Sequence, residues 1–130
     1  MKIIFEYLHY ITVEKNLFNN KILILKLIII MAISKTYSKS KPVCKVTFAV
    51  SADTVNGAKS VSVVGDFNEW NPTALKKQKD GTFKASVELE KGREFAFRYL
   101  VDNDNWINDE AADKYVPSGV SADENSVVVL

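Results

Sequence analysis

Val63-Val64-Gly65-Asp66-Phe67-Asn68-Glu69-Trp70-Asn71-Pro72 is the stretch that decides the fold. Two β-branched residues suit a buried strand. Gly65 ends it, and Asn68 to Pro72 reads as a turn, because Pro72 makes the chain extend or bend there. The run therefore delivers Trp70 onto a loop at a strand end. Downstream, Phe95-Ala96-Phe97-Arg98-Tyr99-Leu100-Val101-Asp102 reads as a second strand, with Trp106 just past it. Two tryptophans on neighbouring loops of a small β domain suit stacking on flat, partly apolar ligands such as sugar rings.

The same alternation extends through the segment from residue 42 to 130. Cys44, Val46, Phe48 and Val50 alternate with Lys45, Thr47 and Ala49. Asn56-Gly57 marks a loop, and Ser60 to Phe67 is apolar enough for a central strand. Asp80-Gly81 is a hairpin signal between Leu75–Lys79 and Thr82–Leu89. Phe83, Ala85, Val87 and Leu89 share one face, with Lys84, Ser86 and Glu88 on the other. Phe95, Phe97, Tyr99 and Val101 face the core, opposite Ala96, Arg98 and Leu100. Ser126 to Leu130 closes the chain as a final strand. About seven short strands with turns between them predict an all-β, immunoglobulin-like sandwich.

Composition narrows the function. The chain has 130 residues, enough for one domain and too few for a (β/α)8 barrel, which takes roughly 250. Lys plus Arg number 17 against 16 for Asp plus Glu, a net charge of +1 with the signs interspersed. No basic stripe points to nucleic acid. A single cysteine, Cys44, rules out an intrachain disulfide and reads as a small core residue. One histidine, His9, offers no basis for a histidine metal site or a Cys–His pair. Asp102, Asp104, Asp109, Glu110 and Asp113 do not have calcium-loop spacing. They read as a solvated acidic loop. No metal, cofactor or catalytic residue is expected.

Residues 1–33 differ in composition. Ile22 to Ile33 is apolar apart from Lys26, too short for a membrane span of about 20 residues. Three readings stand: a leader upstream of a start at Met31, a signal-like segment with a small-residue site at Ala32-Ile33-Ser34, or a membrane-associated helix. The expected division is a helical non-domain leader over 1–33, a linker over 34–41 and the sandwich over 42–130. With Met31 as start the protein is cytoplasmic; with a signal peptide it is secreted.

Val63–Pro72, then Phe97–Asp102 followed by Trp106, then Glu124-Asn125-Ser126-Val127-Val128-Val129 resemble the isoamylase early-set module. That family includes the glycogen-binding domain of the AMP-activated protein kinase β subunit and the N-terminal domains of glycogen branching and debranching enzymes. The resemblance covers roughly residues 42–130. It implies a non-catalytic β-sandwich that binds α-1,4-glucans such as glycogen and starch, alone or with a branching or debranching enzyme. Position by position, it makes Trp70 and Trp106 the stacking residues, Arg98 the basic residue on the strand before the turn, where Lys is also common, and Asn125 the asparagine before the last strand. The turn Asp102–Asn105 is one residue longer than the Asp-Gly turn of the kinase domains. Asn108 to Asp123 is more similar to the bacterial enzyme branch. Val120 is the nearest counterpart of the apolar residue that some members push through a sugar ring.

The site residues also have ordinary structural roles open to them. Trp70 could be a core residue that plugs one end of the sandwich, whereas Trp106 lies next to polar Asn105 and Asn108, which suits exposure. Arg98 could pair with Glu88 or Glu94, and Asn125 could bond its own turn. Tyr99 and Phe67 read as core. The rival function is a protein-interaction or structural domain that has lost sugar binding.

Overall fold

The computed structural model describes residues 31–130. The leader expectation for residues 1–30 lies outside the described residues. Alternating burial builds most strands. In β2 (Val43–Val50), Cys44, Val46, Phe48 and Val50 are fully buried between more exposed neighbours. Ahead of it, β1 (Met31–Tyr37) pairs antiparallel with all of β2 but Val43, from Met31 opposite Val50 to Tyr37 opposite Cys44. This corrects the expected boundary. The sheet starts at Met31, so residues 31–33 are strand rather than helical leader, and 34–37 are strand rather than linker. Ile33, Lys35 and Tyr37 sit opposite Phe48, Val46 and Cys44. Period-two pairing with a long neighbour prevails over the local Ile-rich composition. Lys35 reaches across to Asp113, Nζ to Oδ2 2.7 Å.

The remaining strands follow in order: β3 (Val61–Gly65), β4 (Thr73–Ala74), β5 (Lys76–Lys77), β6 (Phe83–Glu90), β7 (Glu94–Val101), β8 (Asn105–Ile107), β9 (Lys114–Pro117) and β10 (Glu124–Val129). The sequence reading expected about seven. The extra ones are short pieces of two to four residues, too brief for alternation to mark. One sheet runs β1-β2-β6-β5. The other runs β4-β3-β7-β10-β9, with β8 paired to β7. All pairs are antiparallel. Among the described residues there is no α-helix, and none that could cross a membrane.

The two sheets meet through aromatic rings. Phe48 of the first sheet lies 5.0 Å from Phe97 and 6.4 Å from Tyr99 of the second, centroid to centroid. Phe67 leaves the end of β3 and stacks on Phe48 at 5.5 Å and 17°. Burying side chains of this size stabilises by about 1.5–3 kcal/mol each. Cys44 is buried among them, as its place in the alternation predicts.

β7 is the hinge of the second sheet. One edge pairs with β3 through residues 97–101. The other edge changes partner along its length. Residues Glu94–Phe97 pair with β10, and Tyr99–Val101 pair with β8. Arg98 stands where the partner changes, so β8 and β10 fork on either side of it.

Candidate functional site

The strand-to-turn passage after β3 is built from side chains as much as backbone. Asp66–Asn68 forms one 3-10 turn. Asn68 closes it: its Oδ1 accepts from the Gly65 amide at 2.9 Å, and its Nδ2 donates to the Val63 carbonyl and Thr73 Oγ1, both at 3.0 Å. Glu69 and Trp70 follow in left-handed conformation, with φ of 56° and 60°. Non-glycine residues are uncommon there. The Trp70 amide donates to the Gly65 carbonyl at 2.9 Å, which fixes the reversal. Its indole Nε1 donates to Asp66 Oδ1 at 3.0 Å. The other Asp66 oxygen accepts from the Ala96 amide on β7 at 2.8 Å. Gly65 is required for close approach, since its own backbone is extended. A Cβ there would stand 2.5 Å from the Ala96 carbonyl oxygen and 2.8 Å from Phe97 Cβ.

Trp106 arrives by another route. The β7–β8 hairpin turns through Asp102 and Asn103, both left-handed. Asp102 Oδ1 accepts from the Lys59 and Ser60 amides at 2.8 and 3.0 Å, tying the hairpin to the approach of β3. The extra turn residue is thereby accommodated, and Trp106 falls opposite Leu100. That side of β7 also carries Arg98, whose guanidinium carbon lies 5.9 Å from the Trp106 ring centroid.

Asn125 lies inside β10, not before it, and is largely buried. Asn108 brackets it. The Asn108 amide donates to the Glu124 carbonyl at 2.8 Å, and its oxygen accepts from the Ser126 amide at 3.1 Å and Ser126 Oγ at 2.9 Å. A side-chain amide thus takes the place of a strand neighbour where β8 and β10 separate.

Trp70, Arg98, Trp106 and Asn125 line one groove of about 680 Å³ on the second sheet. Asp66, Ala96, Val116 to Ser118 and Val120 complete its lining. Trp70 is 40% exposed and Trp106 44%. Phe67, not Trp70, fills the end of the sandwich. Arg98 pairs with neither Glu88 nor Glu94. Its nearest carboxylate is Asp123, Nη1 to Oδ2 3.9 Å, a loose contact with an exposed partner. Glu94 is held by Lys114. Arg98 Nε is buried and has no hydrogen-bond partner among the described residues. Val120 stands 93% exposed at the rim.

The acidic segment does not gather into a second site. Asp109 is fully buried, accepting from the Tyr99 hydroxyl at 2.7 Å and the Ala111 amide at 2.7 Å. Burial pushes its carboxyl above the usual range, against the Tyr99 and Ala111 hydrogen bonds. Burial likewise pushes the Tyr99 hydroxyl well up, and the Asp109 charge adds to it. Burial alone would raise Asp113, but the Lys35 hydrogen bond, the Val129 amide and the Lys35 charge together hold it below the usual range. Among the described residues no group of three or more His, Cys, Asp or Glu could hold a metal.

The sequence reading missed Asp66 as part of the groove, and Asn108 and Asp123 as neighbours of Asn125 and Arg98. Asp66 lay in plain view beside Trp70 but read only as a turn residue. Asn108 and Asp123 are brought in by long-range pairing that leaves no local signal.

Fold and groove together define a small β-sandwich module with two exposed tryptophans along one groove. Residues 53–123 match the family described as the glycogen recognition site of AMP-activated protein kinase, and the chain belongs to that family. The match includes Trp70, Arg98 and Trp106, and stops just short of Asn125. No curated protein matches the chain. The solved structure of a pullulanase complexed with maltotetraose, from Anoxybacillus sp. LM18-11, is similar with a TM-score of 0.51 at 21% identity. That match covers 75% of this chain and 13% of the pullulanase, and the likeness is one of fold.

Proposed function

We propose that the groove binds α-1,4-glucan chains such as glycogen or starch, and that the module performs no chemistry of its own. The observation that carries this reading is the exposure of Trp70 and Trp106 in one groove, with Arg98 between strands β8 and β10 and Asn125 beside it. A glucose ring has apolar C–H faces and a hydroxyl rim. Each indole suits a face, by analogy with aromatic pairs, for about 0.5–1.5 kcal/mol beyond burial. Arg98 supplies several donors in a fixed fork, and Asn125 a donor and an acceptor, for the rim. Such a site is weak for one short chain, on the order of micromolar to millimolar, or about 4–8 kcal/mol. A polymer that repeats the same epitope raises the effective affinity.

The acidic residues support the non-catalytic part of the reading, since Asp102, Asp109 and Asp113 are all engaged in holding turns and strands. The module would act alone or beside a glycogen branching or debranching enzyme, in the cytoplasm. The rival reading, a protein-interaction domain, would be favoured by burial of either tryptophan, and neither is buried.

The test is co-sedimentation of the full chain with glycogen, beside Trp70→Ala and Trp106→Ala. Wild type should pellet with glycogen, and each folded variant should largely stay in the supernatant. A folded wild type that remains soluble beside glycogen would overturn the proposal.

A further inference from the structure

We infer that Asp66 is a positioning residue that fixes how Trp70 meets the ligand. The inference rests on the glucan reading of the groove. Asp66 lines the groove, yet both its carboxylate oxygens are engaged by the protein: Oδ1 by the Trp70 indole N–H at 3.0 Å and Oδ2 by the Ala96 amide at 2.8 Å. The second contact anchors Asp66 to β7, the strand that carries Arg98. The carboxylate therefore ties the Trp70 ring to the strand bearing Arg98.

Three consequences follow from that geometry. An exposed tryptophan on a loop has rotamer freedom to lose on binding, and a hydrogen bond to an anchored acceptor removes it beforehand. A free indole N–H at the groove would hold water that a sugar face would have to displace without replacing its hydrogen bond. With the N–H satisfied by Asp66, the ring can be covered by C–H groups at no polar cost. A hydrogen bond to a carboxylate is also among the stronger kinds, so the orientation persists at an otherwise solvent-facing site. Glu69 and Trp70 have left-handed backbone and lie outside any helix or strand, so no regular backbone ladder holds Trp70 in place. The bond to Asp66 is the side-chain hydrogen bond that directs its ring.

The experiment uses the full chain and maltoheptaose. The chain has two tryptophans, so the indole N–H region of an NMR spectrum carries two resonances. Asp66→Asn keeps one oxygen for the Ala96 amide and leaves no carboxylate for Trp70. The Trp70 signal should shift and exchange faster with solvent, while the Trp106 signal stays in place. Maltoheptaose binding should weaken about five- to tenfold. In a Trp70→Phe background, which keeps a stacking ring but has no N–H, Asp66→Asn should cost nothing further. An unmoved Trp70 resonance, or an equal loss of binding in both backgrounds, overturns the role assigned to Asp66. A folded wild type that binds no maltoheptaose sinks the glucan reading itself. Should Asp66→Asn fail to fold, Asp66→Ser, which retains one short acceptor, is read in the same two ways.

Discussion

Arg98 faces Trp106 across the fork between β8 and β10, its guanidinium carbon 5.9 Å from the ring centroid. The side chain is mostly covered, and its Nε has no hydrogen-bond partner among the described residues. It is a fork of donors held against an aromatic wall.

Replacing Arg98 by Lys keeps the charge and discards the planar fork. Glucan affinity should fall roughly three- to tenfold, about 1 kcal/mol, with thermal stability nearly unchanged. Because the proposed ligand is neutral, wild-type affinity should change little between low and high salt. Titration calorimetry of both proteins at two ionic strengths checks this. A steep salt dependence would point instead to an anionic ligand.

Gly65→Ala addresses the passage that delivers Trp70. The added methyl would stand 2.5 Å from a backbone oxygen of β7, which cannot swing aside as a side chain could. β3 and β7 would have to separate locally. The expected loss is at the upper end of overpacking costs, about 3 kcal/mol, measured by urea unfolding. Unchanged stability would mean that the two strands part far more easily than their pairing suggests.

Tyr99→Phe probes the buried carboxyl of Asp109. An unperturbed aspartate titrates near about 3.9, and burial raises Asp109 above that while the Tyr99 hydroxyl opposes the rise. A group raised in the folded state gives its full stabilisation below its unfolded value and loses it as pH rises through the folded value. Removing the hydroxyl raises Asp109 further. The variant should therefore lose about 1–3 kcal/mol at neutral pH and less as the pH falls toward the acid range, where Asp109 carries its own proton. Urea unfolding of both proteins at pH 7 and pH 4 tests the sign. A penalty that grew on acidification would contradict the buried, raised carboxyl.

Much of the sandwich was legible because its signals are local. The alternation of Cys44, Val46, Phe48 and Val50 and the Asp80-Gly81 turn each depend on a few adjacent residues, and each is found where expected. β1 was not legible. Its alternation of Ile33, Lys35 and Tyr37 is short and follows directly on an Ile-rich run, so composition outweighed period. β8 and β9 are only three and four residues long, each held by one sequence neighbour, β7 and β10 respectively, and runs that short carry little alternation to read. The groove residues Trp70, Arg98, Trp106 and Asn125 could be picked out one by one from their places on strands and turns and from the family resemblance. Their convergence could not, because it depends on β7 changing partner at Arg98. Leu100 shows the same limit. It was placed on the outward face, but it is buried, with Trp106 of β8 opposite it.

Every residue lining the groove belongs to the second sheet or its loops, and the strands β1, β2, β5 and β6 supply none. The groove is therefore confined to one of the two sheets, while the core is shared by both. Changes on the outer surface of the first sheet can alter solubility, melting temperature or attachment to another protein without touching the groove wall. A module divided in this way can be fused, tethered or immobilised through one side with the other still open to its ligand.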